Sequence, residues 1–159
     1  MRLPLLASLA GCPPSLLQLS CIGNPRVASL SPLVTCTALQ RLQCSGLEQL
    51  DSLKGCPWSL LELGCSECGM VSDLTPLATC TGLKKLHCTV LYKLRSLEGC
   101  PPSLEELKCS GCFGVTGLAP LAACTALRVL NCTATGVSDG GMHLHSRDAV
   151  AQYISVCSE

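Results

Sequence analysis

The chain has 159 residues and equal numbers of basic and acidic side chains, eleven Lys and Arg against eleven Asp and Glu. Charged residues make up only 14%, well under the roughly 25% of ordinary globular domains, so much of the chain must face inward. Without a net charge there is no overall field to draw nucleic acid or an anionic membrane. One Phe, one Trp and two Tyr give no platform for base stacking, and no apolar run approaches the ~18 residues of a spanning helix. These features predict a soluble protein with no nucleic-acid or membrane partner.

A 44-residue unit organises the chain: Gly-Cys-Pro opens at Gly11, Gly55 and Gly99, and Cys-Thr opens at Cys36, Cys80 and Cys124. Each unit holds two unequal turns, so the cysteine steps alternate between 24 and 20 residues. Periods of this size mean a solenoid, because one turn cannot bury its apolar face alone and must stack on the next.

The opening MRLPLLASLAGC imitates a lipoprotein signal, but the repeat accounts for it better. Leu3, Leu6, Leu9, Gly11 and Cys12 fall in the columns of Leu47, Leu50, Leu53, Gly55 and Cys56. Only Arg2 precedes the run, and eleven residues are few beside the roughly 15–30 of a leader. No cap is visible at this front turn, which suggests docking on another surface, a homodimer through that edge, or a piece of a longer repeat protein.

In each turn an apolar-x-Cys pair alternates inward and outward residues, the period of a short strand. Six such strands are expected to form a parallel sheet. After them, apolar residues recur every third position, as in Val27, Leu30 and Leu33 or Leu47, Leu50 and Leu53, with Pro32, Pro76 and Pro120 in the odd turns. That spacing favours 3₁₀ or irregular turns over α-helices.

The aligned turns read Leu16-x-x-Leu19-x-Cys21, Leu39-x-x-Leu42-x-Cys44, Leu60-x-x-Leu63-x-Cys65, Leu83-x-x-Leu86-x-Cys88, Leu104-x-x-Leu107-x-Cys109 and Leu127-x-x-Leu130-x-Cys132. This resembles the leucine-rich repeat family, with cysteine for its third leucine. The family's Asn or Cys three residues later is filled by Asn24, Cys68 and Cys112, whereas Leu47, Leu91 and Thr135 depart from it. The resemblance covers about residues 3–137. It implies an α/β solenoid: a horseshoe with a short-stranded parallel sheet on the concave wall and 3₁₀ or irregular turns on the convex wall. Residues 1–137 form the solenoid; 138–159 form an irregular segment and a capping helix. In that tail, Ser146 precedes Ala149, Val150, Tyr153, Ile154 and Cys157 at helical spacing.

Fourteen of the fifteen cysteines lie in repeat columns, only Cys157 outside them. Free cysteine is a small hydrophobe suited to a crowded core, and its abundance without irregular spacing points to a reducing, cytoplasmic setting. The two C-x-x-C pairs, Cys65 with Cys68 and Cys109 with Cys112, invite a zinc site. They lie two turns apart, about 10 Å at ~4.8 Å per strand, too far for one ion with bonds of ~2.3 Å to sulfur. Stacked cysteines also aim their Cβ bonds in parallel, which opposes disulfides along a column. No metal or cofactor is expected. His87, His143 and His145 sit beside no nucleophile in a catalytic pattern, and His87 reads as a solvated surface residue. The chain is read as no enzyme.

What remains is the concave wall. One outward column runs Gln18, Arg41, Glu62, Lys85, Glu106, Val129; the other runs Ser20, Gln43, Gly64, His87, Lys108, Asn131. Gln40, Lys84, Glu105 and Arg128 stand just before the strands. The alternating signs allow cross-strand pairing of about 0–1 kcal/mol each, which sets register more than stability. The expectation is a noncatalytic interaction module that binds a peptide or protein on this wall. The alternative, implied by the resemblance, is a recognition segment of a larger receptor or ubiquitin-ligase adaptor.

Overall fold

The computed structural model describes residues 6–137 and 141–157. Six three-residue strands, β1 (Gln18–Ser20), β2 (Arg41–Gln43), β3 (Glu62–Gly64), β4 (Lys85–His87), β5 (Glu106–Lys108) and β6 (Val129–Asn131), pair in sequence order as a parallel sheet. Their register matches the columns read from the sequence: Arg41 lies beside Glu62, Glu62 beside Lys85 and Lys85 beside Glu106. The strands are short because the chain turns immediately at each cysteine, whose N–H continues the ladder: Cys44 N donates to Gly64 O at 2.7 Å and Cys65 N to His87 O at 2.8 Å.

Beneath the strands the core is almost entirely leucine, valine and cysteine. Leu42, Leu63, Leu86, Leu107 and Leu130 are fully buried or nearly so, as are Cys44, Cys65, Cys88, Cys109 and Cys132 directly after the strands. Removing such side chains from water supplies about 1.5–3 kcal/mol each, which offsets the ordering of a chain with little regular secondary structure. Leu16 and Leu19 are only half-buried, since β1 has a single neighbouring strand among the described residues.

The convex wall differs between the two kinds of turn. Odd turns carry 3₁₀ helices, Ser31–Thr35, Thr75–Thr79 and Ala119–Ala123, each with proline at its start, while even turns run as tight bends. Proline fixes φ for the first helical turn and needs no donor there, so it starts these helices without loss. In the second and third units the glycine of Gly-Cys-Pro is required twice over. Gly55 has φ +93°, and a Cβ there would lie 2.5 Å from Ser31 Cα of the preceding turn. The residue must be glycine for the turns to stack this closely.

Leu9 is buried as its column demands, but Leu6, the counterpart of the fully buried Leu50 and Leu94, is 46% exposed. No described turn packs on its outer side. Leu3 and the rest of the opening lie outside the described residues.

The segment after the sixth turn is less irregular than the sequence implies. β7 (His143–Leu144) joins the sheet antiparallel to β6, placing His143 beside Asn131 and Leu144 beside Leu130. Residues 138–140 lie outside the described residues. A single α-helix follows among the described residues: α1 (Arg147–Val156) begins at Ser146, whose side chain accepts from Ala149 N at 3.2 Å. It buries Val150 and Ile154 against the last 3₁₀ helix and β6.

Candidate functional site

The sequence-predicted residues of the concave wall are brought onto one surface by β1 to β6. Gln18, Gln40, Arg41, Lys84 and Arg128 are exposed; Gln43, Glu62, Lys85, His87, Glu105, Glu106, Lys108 and Asn131 are half-buried. Strand pairing fixes their backbones about 4.8 Å apart, and the leucine layer below holds each strand in place.

Each of the three carboxylates on this wall lies between two bases. Glu62 takes Arg41 Nε at 3.2 Å and Lys85 Nζ at 3.8 Å. Glu105 takes Lys84 Nζ at 2.9 Å and Arg128 at 3.3 Å. Glu106 takes Lys108 Nζ at 2.7 Å and His87 Nε2 at 2.9 Å. The hydrogen bond from Lys108, reinforced by that from His87, outweighs partial desolvation and holds the Glu106 carboxyl down at about 2. Lys84, then Arg128, lowers Glu105 as well.

Two expectations change here. Alternation down the first column suggests that Glu106 pairs with Lys85 of the neighbouring strand, but Glu106 turns instead to the second column, where Lys108 follows it by two residues on its own strand. His87, read as a solvated surface residue, is one of its hydrogen-bond partners. The two columns therefore meet at Glu106, which pairs within the second, while Glu62 with Arg41 and Lys85 stays within the first. Gly64 sits in the second column so that the side-chain amide of Gln43 can lie over it, where any Cβ would clash. Asn131 turns back into its own turn, its Oδ1 accepting from Thr133 Oγ1 at 2.8 Å.

The column after the strands also forms hydrogen bonds between turns. Cys68 Sγ donates to Cys44 O at 3.1 Å and Cys112 Sγ to Cys88 O at 3.2 Å, each reaching the preceding turn. Asn24 Oδ1 accepts from Leu6 N at 2.8 Å. Thr135, a departure from Asn or Cys, keeps a polar role by donating to Cys132 O at 2.7 Å. Leu47 and Leu91 interrupt the ladder, as their side chains require.

All fifteen cysteines are free thiols, and only Cys12 and Cys157 are other than buried. Burial pushes the thiols of Cys65, Cys88 and Cys109 well above their ordinary range, and that of Cys21 up to about 11. A thiol so placed is a packing group, not a nucleophile. Among the described residues no group of three or more His, Cys, Asp or Glu is placed to hold a metal ion, and no helix is long and apolar enough to cross a membrane.

Sequence reasoning missed Tyr92 and Phe113, which are 59% and 61% exposed. They follow Leu91 and Cys112 in the same repeat slot of consecutive turns, and Gly69 fills that slot one turn earlier. The Tyr92 ring comes within 3.1 Å of where a Gly69 Cβ would stand. Continuing the column reading past the strands finds them.

Parallel in-register strands, a buried cysteine column behind them and 3₁₀ turns on the outer wall define the fold as a solenoid of the leucine-rich-repeat kind. No family model and no curated protein sequence matches the chain. Among solved structures it is similar to the functional domain of InlJ from Listeria monocytogenes, itself described as including a cysteine ladder. The identity is 20% and the TM-score 0.47, over 77% of this chain and 36% of that one. It is also similar to the internalin InlF from Listeria monocytogenes, at 19% identity and a TM-score of 0.34, over 76% of this chain and 48% of that one. The chain thus spans less than half the length of either.

Proposed function

We propose that the chain is a noncatalytic protein-interaction module whose concave wall binds a peptide or a protein segment. The observation that carries this reading is the set of three ion-pair groups on the concave wall: three carboxylates and six bases on the strands or just before them, all turned outward from one apolar core. Preorganised polar groups on a regular backbone lose little freedom when a partner arrives, which is what specific recognition requires. The free thiols suit a reducing compartment, and a cytoplasmic location accompanies the proposal.

The test is a selection from a displayed random dodecamer library, followed by binding of the enriched peptides to a variant carrying Arg41→Ala, Glu62→Ala, Lys85→Ala and Glu106→Ala. Circular dichroism should show the fold retained, because these side chains lie outside the core. Binding is expected to be lost. Peptides that bind the variant as well as the parent would place the site elsewhere.

A further inference from the structure

The concave wall does not share the chain's neutrality. It holds five Lys and Arg side chains, Arg41, Lys84, Lys85, Lys108 and Arg128, against three Glu, an excess of two positive charges. Since the whole chain balances at eleven of each sign, the rest of the molecule carries the opposite excess. The division is uneven in depth as well. Side-chain exposure is 28% for Glu62, 33% for Glu105 and 18% for Glu106, but between 36% and 59% for the six bases. Every carboxylate is enclosed between two bases, and it is the bases that face solvent.

We infer that the concave wall selects an acidic polypeptide segment, one whose Asp or Glu side chains meet the exposed bases from Arg41 on β2 to Arg128 beside β6. The inference rests on the proposed concave site and names the chemistry of its partner. The side chains of Arg41 and Arg128 are more than half exposed, and each guanidinium, bonded to its glutamate through one nitrogen, has further N–H donors to offer a carboxylate. The glutamates orient those bases and offset three of their five charges, which leaves the excess of two on the wall. Four strand spacings separate β2 from β6, about 19 Å, or roughly six residues of extended chain. A segment of that length with two or more acidic residues spans the charged wall. The same wall repels a basic segment, which gives discrimination as well as attraction.

The displayed-library selection tests this by composition. Enriched peptides are expected to be rich in Asp and Glu. Changing those residues to Gln in a fluorescein-labelled peptide should weaken binding about tenfold, and raising NaCl from about 50 to about 500 mM should weaken it strongly. Glu62→Gln and Glu105→Gln each remove a negative charge from the wall and should each tighten the acidic peptide about two- to threefold. A neutral or basic consensus, no enrichment, weaker binding by Glu62→Gln, or tighter binding of a twelve-nucleotide oligouridylate than of any peptide would overturn the inference. The fourfold alanine variant removes two bases and two acids, so it leaves the count of charge on the wall unchanged. Its outcome therefore judges where the site lies, while the glutamine variants judge what the site selects.

Discussion

Serine at Cys109 and serine at Cys112 should have different consequences, although the two residues lie three apart and both are fully buried. Each substitution replaces a thiol by a smaller hydroxyl that demands a partner. At Cys112 a partner exists, since its sulfur already donates to Cys88 O at 3.2 Å, and backbone N–H groups of Val90 and Leu91 approach it as well. Cys109 has no side-chain hydrogen bond among the described residues. An unpaired buried hydroxyl costs about 1–3 kcal/mol, and a paired one within about 1 kcal/mol. Cys109→Ser should therefore lose roughly 1–2 kcal/mol more than Cys112→Ser. With a urea slope of about 2 kcal/mol per molar, the middle of the usual range, the two midpoints should separate by roughly 0.5–1 M. The assay is urea unfolding followed by circular dichroism under reducing conditions. Equal losses, or a larger loss at Cys112, would refute the claim that Cys112 acts as a hydrogen-bonding group and Cys109 as a packing group.

Gly55→Ala should cost at least about 2 kcal/mol, combining left-handed backbone strain with contact against Ser31. Gly117→Ala, where nothing lies within 4 Å of the new methyl, should stay within about 0.5 kcal/mol in the same unfolding assay. Because the folded Glu106 carboxyl is held at about 2, below its ordinary ~4.3, its ion pairs contribute fully above the ordinary value and are lost as pH falls through about 2. The stability curve of Glu106→Gln should accordingly lie below the parent's near pH 6 and meet it at the acid limit; parallel curves across that range would contradict the pairing. Titration with a thiol reagent near pH 8 should find Cys12 and Cys157 in the native protein and the remaining thirteen of the fifteen thiols only after denaturation. Rapid native reaction at many sites would show that the cysteine columns are not closed.

The sequence by itself determined the solenoid, the strand register and the membership of the concave wall. The reason is that side-chain direction alternates with a period of two along a strand, so Leu63 and Cys65 facing in compel Glu62 and Gly64 to face out. Stacking at a fixed repeat then aligns every turn with the next, and the columns follow without any long-range choice. The helical spacing after Ser146 was legible for a similar reason, since an N-cap and the interval between Val150 and Ile154 are local features. Tertiary structure alone decided what depends on competing neighbours. Spacing places Glu106 between Lys85 and Val129, yet its flexible carboxylate reaches Lys108 and His87 instead. The amide of Gln43 settles over Gly64 because only that position lacks a Cβ. The two residues of β7 carry no periodicity from which a strand is read, and they join the sheet because β6 presents an edge to them. The lower exposure of Glu62 and Glu106 beside their bases is likewise a property of assembled side chains, because spacing gives each residue's column and not how far its side chain reaches.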